Sequence, residues 1–168
     1  MMKLVRNALS HETIDRVFEM YRELPNLVKL EQNKSPVDRH TVGMVGKFML
    51  SKFSQEEFDF VWNEVKEQIK EHTGPVELVY ARVLKYNITC MIQKHLDAAN
   101  EGARSDISVI IQLSDPATYK GGEMIVSNKL IDLQMGDMVF YTYEHEHEVR
   151  PVKEGIRYVV NLRCKMVK

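Results

Sequence analysis

The spacing of apolar residues along the sequence changes near residues 73–75 from a helical repeat to the alternation of β-strands. This change restricts the chain to folds that join helices to a β core. Before it, Ser10 can cap a helix whose apolar residues recur at the helical spacing and which Pro25 ends. A capping box at residues 54–57 opens a second amphipathic helix. The segment between the two, residues 27–53, fits either a helix or a strand.

After Pro75 the apolar residues alternate over short runs that turn residues separate, which is typical of strands that bury one face. Short strands with regular turns predict a β-sandwich or a barrel-like core. We therefore expect one α+β domain over residues 1–168, with a helical support layer in residues 1–75 and the β core in residues 76–168. The predicted strands are residues 76–86, 89–95, 107–113, 123–126, 129–133, 138–143, 147–152 and 158–165.

Length, charge and cysteine content limit the class of protein. The formal net charge of −1 gives no electrostatic reason to expect a nucleic-acid partner or a membrane surface. The first ten residues carry no secretory signal, and no stretch approaches the ~20 apolar residues of a membrane helix, so we expect a cytoplasmic protein. Cys90 and Cys164 are too few for a disulfide framework and are expected to be buried thiols.

Two histidines and one aspartate form the candidate metal site. His95-Leu96-Asp97 ends a predicted strand, and residues two apart on a strand project to the same face. His147 follows another apolar strand and can supply a second imidazole. Two imidazoles and one carboxylate that leave further coordination positions open make the facial triad of non-haem Fe(II) oxygenases. The alternative is a strand-end histidine beside a turn aspartate, without a metal.

A structural zinc site has less support, since it would close its fourth position, usually with a thiolate. Neither Cys90 nor Cys164 lies in a Cys-x-x-Cys pair. His145 also competes with His147, because the two share strand parity and could face the same way. The residues alone leave that choice open.

Arg157 is the candidate for binding an anion beside the metal. A dicarboxylate that chelates a metal needs a cation for its far carboxylate, and arginine offers a planar bidentate fork for this task. Arg157 lies ten residues beyond His147, across a glycine turn. The alternative is a surface arginine on an edge strand.

The second half of the chain resembles the Fe(II)/2-oxoglutarate-dependent oxygenase superfamily, and within it the PKHD-type and prolyl-hydroxylase-like branch. The resemblance spans residues 79–163, and its closing motif, His-x-Val-x-Pro-Val-x-x-Gly-x-Arg, is complete between His147 and Arg157. The motifs that carry it are Tyr86, His95-Leu96-Asp97, Gly121-Gly122-Glu123, Gly136-Asp137-Met138-Val139-Phe140 and the segment from His147 to Arg157.

This resemblance implies a double-stranded β-helix, or cupin-like jelly roll, with the N-terminal helices packed on one sheet. It implies Fe(II) bound by His95, Asp97 and His147, with 2-oxoglutarate and O₂ as co-substrates and ascorbate as an optional reductant. The C5 carboxylate of 2-oxoglutarate would pair with Arg157, and Tyr86 would line the same pocket. The alternative for Tyr86 is an ordinary half-buried strand tyrosine.

The implied reaction couples decarboxylation of 2-oxoglutarate to succinate with hydroxylation of a substrate C–H bond. His147 is preferred to His145 as the distal ligand because only His147 fits the closing motif. The chain has Gln112 where the branch commonly has an aromatic residue, so we expect a reshaped pocket. We expect six basic residues near the core to be ordinary solvated charges: Lys85, Lys94, Arg104, Lys120, Arg150 and Arg163.

The substrate class stays open between a prolyl peptide, which the resemblance favours, and a free amino acid, another small molecule or a modified base. Two other functions are alternatives. One is a cupin-like metal-binding protein that is not an oxygenase, such as an isomerase or a hydrolase with another divalent metal. The other is a binding module that keeps only the fold. The oligomeric state is not readable from the sequence.

Overall fold

The computed structural model describes residues 1–23, 44–45, 48–53, 55–97 and 106–167. Two α-helices and thirteen strands lie in these ranges, with a short 3₁₀ turn at Pro116–Thr118. The elements are β1 (Met2–Val5), α1 (His11–Glu23), β2 (Met44–Val45), β3 (Phe48–Phe53), α2 (Gln55–Thr73), β4 (Val76–Tyr86), β5 (Met91–His95), β6 (Ile107–Gln112), β7 (Tyr119–Gly121), β8 (Met124–Val126), β9 (Lys129–Ile131), β10 (Met138–Thr142), β11 (His147–Val149), β12 (Val152–Gly155) and β13 (Arg157–Met166).

The strands form two principal antiparallel sheets. The larger sheet has the order β1-β10-β6-β13-β4-β3, and the smaller has the order β2-β5-β11-β8-β9. The strands β12 and β7 pair separately. Several consecutive strands alternate between the two sheets, as β4, β5 and β6 do, which is typical of a jelly roll.

Alternating side chains give the larger sheet two different faces. Ile107, Val109 and Ile111 of β6 join one buried cluster with the apolar faces of α1 and α2. Ile110 of the same strand joins a second cluster, which also contains Val126 of the smaller sheet. The helices therefore cover the outer face of the larger sheet, and the inner face is turned toward the smaller sheet.

The two predicted helices and the eight predicted strand regions are confirmed, with changes at their ends. The region predicted as one strand over residues 147–152 divides into β11 and β12, and β12 includes residues 153–155, which were predicted as a turn. The strands β1 and β7 were not predicted, because strands this short show too little alternation to be recognised.

The first 75 residues do more than provide helices. They contribute the edge strands β1 and β3 to the larger sheet and the edge strand β2 to the smaller one. The ambiguous segment, residues 27–53, is a strand at β2 and β3, and the remainder of that prediction lies outside the described residues. Cys90 and Cys164 are free and buried, as predicted. Of the described helices, neither is long and apolar enough to cross a membrane.

The turn before β10 ties the N-terminal segment to the β core. Gly136 has a φ of +87°, and a Cβ added there would lie 2.7 Å from the carbonyl oxygen of Leu9. The buried carboxylate of Asp137 accepts hydrogen bonds from the backbone nitrogens of Asn7 (3.0 Å) and Gln134 (2.9 Å) and pairs with Arg6. Burial alone would raise the pKa of Asp137, but these donors hold it below its usual value.

We predict that Asp137→Asn lowers the free energy of unfolding by about 2 kcal/mol at neutral pH, because a hydrogen-bonded buried charge is lost. A depressed carboxyl pKa stabilises the fold above the ordinary value near 4, and this contribution disappears as the pH falls. The difference in free energy of unfolding between the variant and the wild-type protein should therefore become smaller in acid, as urea denaturation at several pH values would show. Asp132→Asn, in the same loop but exposed, is the control. A deficit that stays constant with pH would contradict this prediction.

Candidate metal centre

The two histidines of the candidate site are brought together by the pairing of β5 with β11. His95 and His147 are directly opposed Cα partners in this antiparallel pair, and their ring centroids lie 4.2 Å apart. Asp97 follows β5 by two residues, so its carboxylate returns to the same place. One ligand atom from each of the three residues lies within 4.8 Å of the other two.

The orientation of the rings directs three lone pairs at one point. The Nδ1 of His95 lies 2.8 Å from the carbonyl oxygen of Gln93, and the Nδ1 of His147 lies 3.1 Å from that of His145. A carbonyl accepts only, so each Nδ1 carries the proton. The two Nε2 atoms then carry free lone pairs that are directed toward Asp97, and each lies 3.5 Å from its Oδ1. Burial lowers the pKa of His147, which favours its neutral form.

Three acceptor atoms that face each other without a donor suit a bound cation. Two imidazoles and one carboxylate suit a first-row divalent metal such as Fe(II), and they leave the remaining coordination positions open. The group provides three protein donors, fewer than the four of a closed structural zinc site. The residues therefore fit the iron centre that the sequence resemblance implies.

Asp97 is held by two polar partners on the inner face of the larger sheet. Arg163 on β13 donates from both terminal nitrogens to the carboxylate, with 2.8 Å between Nη2 and Oδ1. The hydroxyl of Ser108 on β6 donates to Oδ2 at 2.5 Å. Burial would raise the pKa of Asp97, but the hydrogen bonds and the positive charge of Arg163 hold it well below its usual range. The carboxylate is therefore ionised and fixed in orientation.

Arg157 lies on β13, in the sheet that faces the metal-site histidines. Its side chain is 2% exposed, and its Nε donates to Oε1 of Gln112 at 3.1 Å. Gln112 in turn donates to the hydroxyl of Tyr119 at 2.9 Å. Among the described residues, the terminal nitrogens of Arg157 meet no carboxylate. A buried guanidinium without a counter-ion is costly, so this geometry suits a bound anion.

Two neighbours of Arg157 shape this pocket. Tyr86 is buried, and its ring centroid lies 5.4 Å from the guanidinium carbon. Burial raises the pKa of Tyr86, so its hydroxyl stays protonated. At Gly122, which has a φ of +67°, an added Cβ would lie 3.3 Å from Cδ of Arg157 and 3.0 Å from Val152. The glycine thus leaves room for the arginine stem.

His145 points away from the three ligand candidates. Its Nδ1 lies 2.7 Å from the hydroxyl of Ser127, and its Nε2 lies 2.8 Å from the backbone nitrogen of Met1. Only its carbonyl takes part, by accepting the proton of His147. The ring therefore lies outside the cluster that contains His95 and His147.

Comparison with known proteins adds an independent finding to this geometry. Residues 81–162 match the sequence profile of the 2OG-Fe(II) oxygenase superfamily. The assignment made from the sequence is confirmed. A PKHD-type hydroxylase of Maricaulis maris is 33% identical over 113 residues, which are 61% of this chain and 52% of that protein. The chain thus spans about half the length of this curated relative.

Solved structures of 2OG-Fe(II) oxygenases share the fold. An oxidoreductase of this family from Burkholderia pseudomallei superposes with a TM-score of 0.74 at 16% identity, over 98% of this chain and 84% of that one. A prolyl hydroxylase of Trichoplax adhaerens, in complex with a peptide fragment of hypoxia inducible factor, gives 0.72 at 16% identity, over 98% and 83%. The jelly-roll prediction is confirmed. The match to the superfamily profile supports the predicted Fe(II), 2-oxoglutarate and O₂.

The sequence analysis missed the role of Arg163 at the candidate metal site. We expected Arg163 to be an ordinary solvated charge, and this was wrong, because its side chain is only 14% exposed and is bound to Asp97. The alternation of side chains along a strand could have indicated this role, since Arg163 lies six residues beyond Arg157 and therefore projects to the same face of β13. Ser108, within a run of apolar residues on β6, carried a similar signal.

We predict that Arg163→Met lowers the free energy of unfolding of the metal-free protein by about 3 kcal/mol, because Asp97 would stay buried without its charged partner. Added Mn(II) should reduce this loss, since the cation takes over the neutralisation of Asp97. Urea denaturation in EDTA and in Mn(II) measures both values. Lys165→Met, at the exposed end of the same strand, is the control. An equal loss under both conditions would contradict the role given to Arg163.

Proposed function

We propose that this chain is an Fe(II)- and 2-oxoglutarate-dependent dioxygenase that hydroxylates a C–H bond, and that residues 1–168 act as one oxygenase domain. The observation that carries the proposal is the convergence of Nε2 of His95, Nε2 of His147 and Oδ1 of Asp97 on one point. In the proposal these three atoms hold the iron. When bound, Fe(II) supplies the activation of O₂ at the expense of 2-oxoglutarate, which leaves as succinate and CO₂.

The protein contributes orientation and charge. The backbone carbonyls of Gln93 and His145 fix the protonation of the two imidazoles, and Arg163 with Ser108 fixes the carboxylate. Each ligand candidate thus has a hydrogen-bonded partner behind it, which is how proteins set the direction of a metal ligand.

Arg157 is proposed to bind the far carboxylate of 2-oxoglutarate. Its terminal nitrogens are free of described partners, while Gln112 holds its Nε and so sets the plane of the guanidinium. A bidentate guanidinium–carboxylate pair requires such a defined plane. Gln112 stands where the branch commonly has an aromatic residue, so the side chains at this end of the site are more polar than the branch pattern implies. Tyr86 supplies the adjoining wall.

A peptidyl prolyl group is the substrate that we propose first. The support is the similarity to PKHD-type hydroxylases and the shared fold with a prolyl hydroxylase that holds a peptide. The assay for substrates should include prolyl peptides and small molecules, with ascorbate added as reductant.

We predict that anaerobic addition of Fe(II) and 2-oxoglutarate produces a visible charge-transfer band. Arg157→Ala should raise the concentration of 2-oxoglutarate needed for this band by at least about tenfold, because a charge-assisted pair is lost. Arg150→Ala, seven residues earlier and exposed, is the matched control and should leave the titration unchanged. Metal binding without any such band would favour a cupin-like protein with another chemistry.

We predict that His147→Ala abolishes the formation of succinate from 2-oxoglutarate, because one of the three converging donors is removed. His145→Ala should retain activity, since its ring bonds to Ser127 and Met1 and not to the cluster. Succinate release under air, with equal protein and iron, measures both variants. The opposite ranking would reassign the distal ligand to His145.

A further inference from the structure

A third arginine lies on the inner face of the larger sheet, and neither the metal cluster nor the proposed 2-oxoglutarate pocket uses it. Arg82 is on β4, where its Cα is paired with that of Asn161 on β13. Its Nε donates to Oδ1 of Asn161 at 2.7 Å, and Asn161 is itself 3% exposed. Ala81 and Val83, on either side, belong to the cluster under the helices. The guanidinium therefore points into the interior that contains the site.

The strand register puts Arg82 at the metal end of this interior. Tyr80 is opposite Arg163, Arg82 is opposite Asn161, and Tyr86 is opposite Arg157. Residues two apart on a strand are separated by about 7 Å, so Arg82 lies about 7 Å along the sheet from the Arg163 position. Its distance along the sheet from the Arg157 position is about twice that.

The terminal nitrogens of Arg82 have no counter-ion in the described part of the chain. Arg163 is neutralised by Asp97, which is bound bidentately and is also directed at the two histidines. Asn161 cannot neutralise Arg82, since it is a neutral amide whose Nδ2 donates to the carbonyl oxygen of Val109. Burial lowers the pKa of Arg82 and the positive charge of Arg163 adds to this effect, whereas Tyr80, Tyr86 and the charge of Asp97 act in the opposite direction. A partly buried cation is thus held in place and oriented without an anion in direct contact.

We propose that Arg82, held by Asn161, binds a carboxylate of the primary substrate beside the metal. The inference rests on the proposed function, because it assumes that the iron and Arg157 take the two carboxylates of 2-oxoglutarate. The remaining guanidinium then selects a second anion, and its fork geometry suits a carboxylate. The carboxylate can belong to a free amino acid, to the C-terminus of a peptide or to an acidic side chain. This narrows the substrate to an anionic molecule.

The test measures the binding of matched pairs of probes to the protein, and the two members of each pair differ only in having a carboxylate or a neutral amide. One arm compares free L-amino acids with their amides, and a second compares short proline-containing peptides with free and amidated C-termini. A third compares internal Asp or Glu with Asn or Gln in the same peptides. Calorimetric titrations use the full chain loaded with Mn(II) and 2-oxoglutarate, so that no turnover occurs. The arm that shows the difference identifies the source of the carboxylate.

We expect the carboxylate member of at least one pair to bind about 10- to 100-fold more tightly than its neutral partner, as a charge-assisted hydrogen bond allows. Arg82→Met should abolish this preference, and Arg82→Lys should keep part of it. Lys85→Met is the matched control, because Lys85 lies on the same strand but near Tyr158, on the helix-covered face. It should keep the full preference. Near-UV circular dichroism checks the fold of each variant.

Three results would overturn the inference. The first is that no pair of probes favours the carboxylate in the wild-type protein, and the second is that Arg82→Met retains the preference. The third is that Arg82→Met loses affinity for 2-oxoglutarate as severely as Arg157→Met, which would assign Arg82 to the co-substrate. Failure of the proposed function has a different signature, namely no succinate from 2-oxoglutarate and no charge-transfer band in the wild-type protein. Arg82→Lys keeps the test decisive if Arg82→Met does not fold.

Discussion

The register between β5 and β11 is the constraint on which the site depends. It makes His95 and His147 direct partners across two antiparallel strands, although 51 positions separate them in the sequence. Side chains opposed in this way project from the same face of a sheet only about 5 Å apart. A slip of one residue would send one imidazole to the opposite face. The ligand set therefore exists because apolar residues such as Val126 and Val149 bury the inner face of this sheet in a single register.

The inner face of the larger sheet supports this cluster with charged residues in an otherwise apolar interior. Arg157, Asn161 and Arg163 alternate along β13 and share its inner face with Val159. Of the buried cations there, only Arg163 has a carboxylate partner among the described residues. Burying an unpaired charge costs several kcal/mol, and an anion bound beside Arg157 or Arg82 would offset that cost. Both arginines are proposed as ligand-binding residues for this reason.

Much of the architecture could be predicted from local patterns. The helices α1 and α2 were recognisable because each repeats apolar residues on one face after a capping residue. Strands such as β4 and β13 were recognisable from their alternation and length. The strands β1, β7 and β12 were not, because three or four residues at a sheet edge obtain their structure from the neighbouring strand and not from their own composition. The separation of β11 from β12 likewise depends on different partner strands.

By itself, the sequence determined the chemical types at the candidate site. The motif from His147 to Arg157, together with His95 and Asp97, was specific enough to indicate a facial triad and a cation for a dicarboxylate. Only the tertiary structure decided which atoms face each other and which charges are paired. Arg163, Gln112 and Arg82 acquire their relations to the site through strand pairing across the sheet. Local sequence determines the face on which a side chain lies, whereas its partners depend on the register of strands that are distant in the chain.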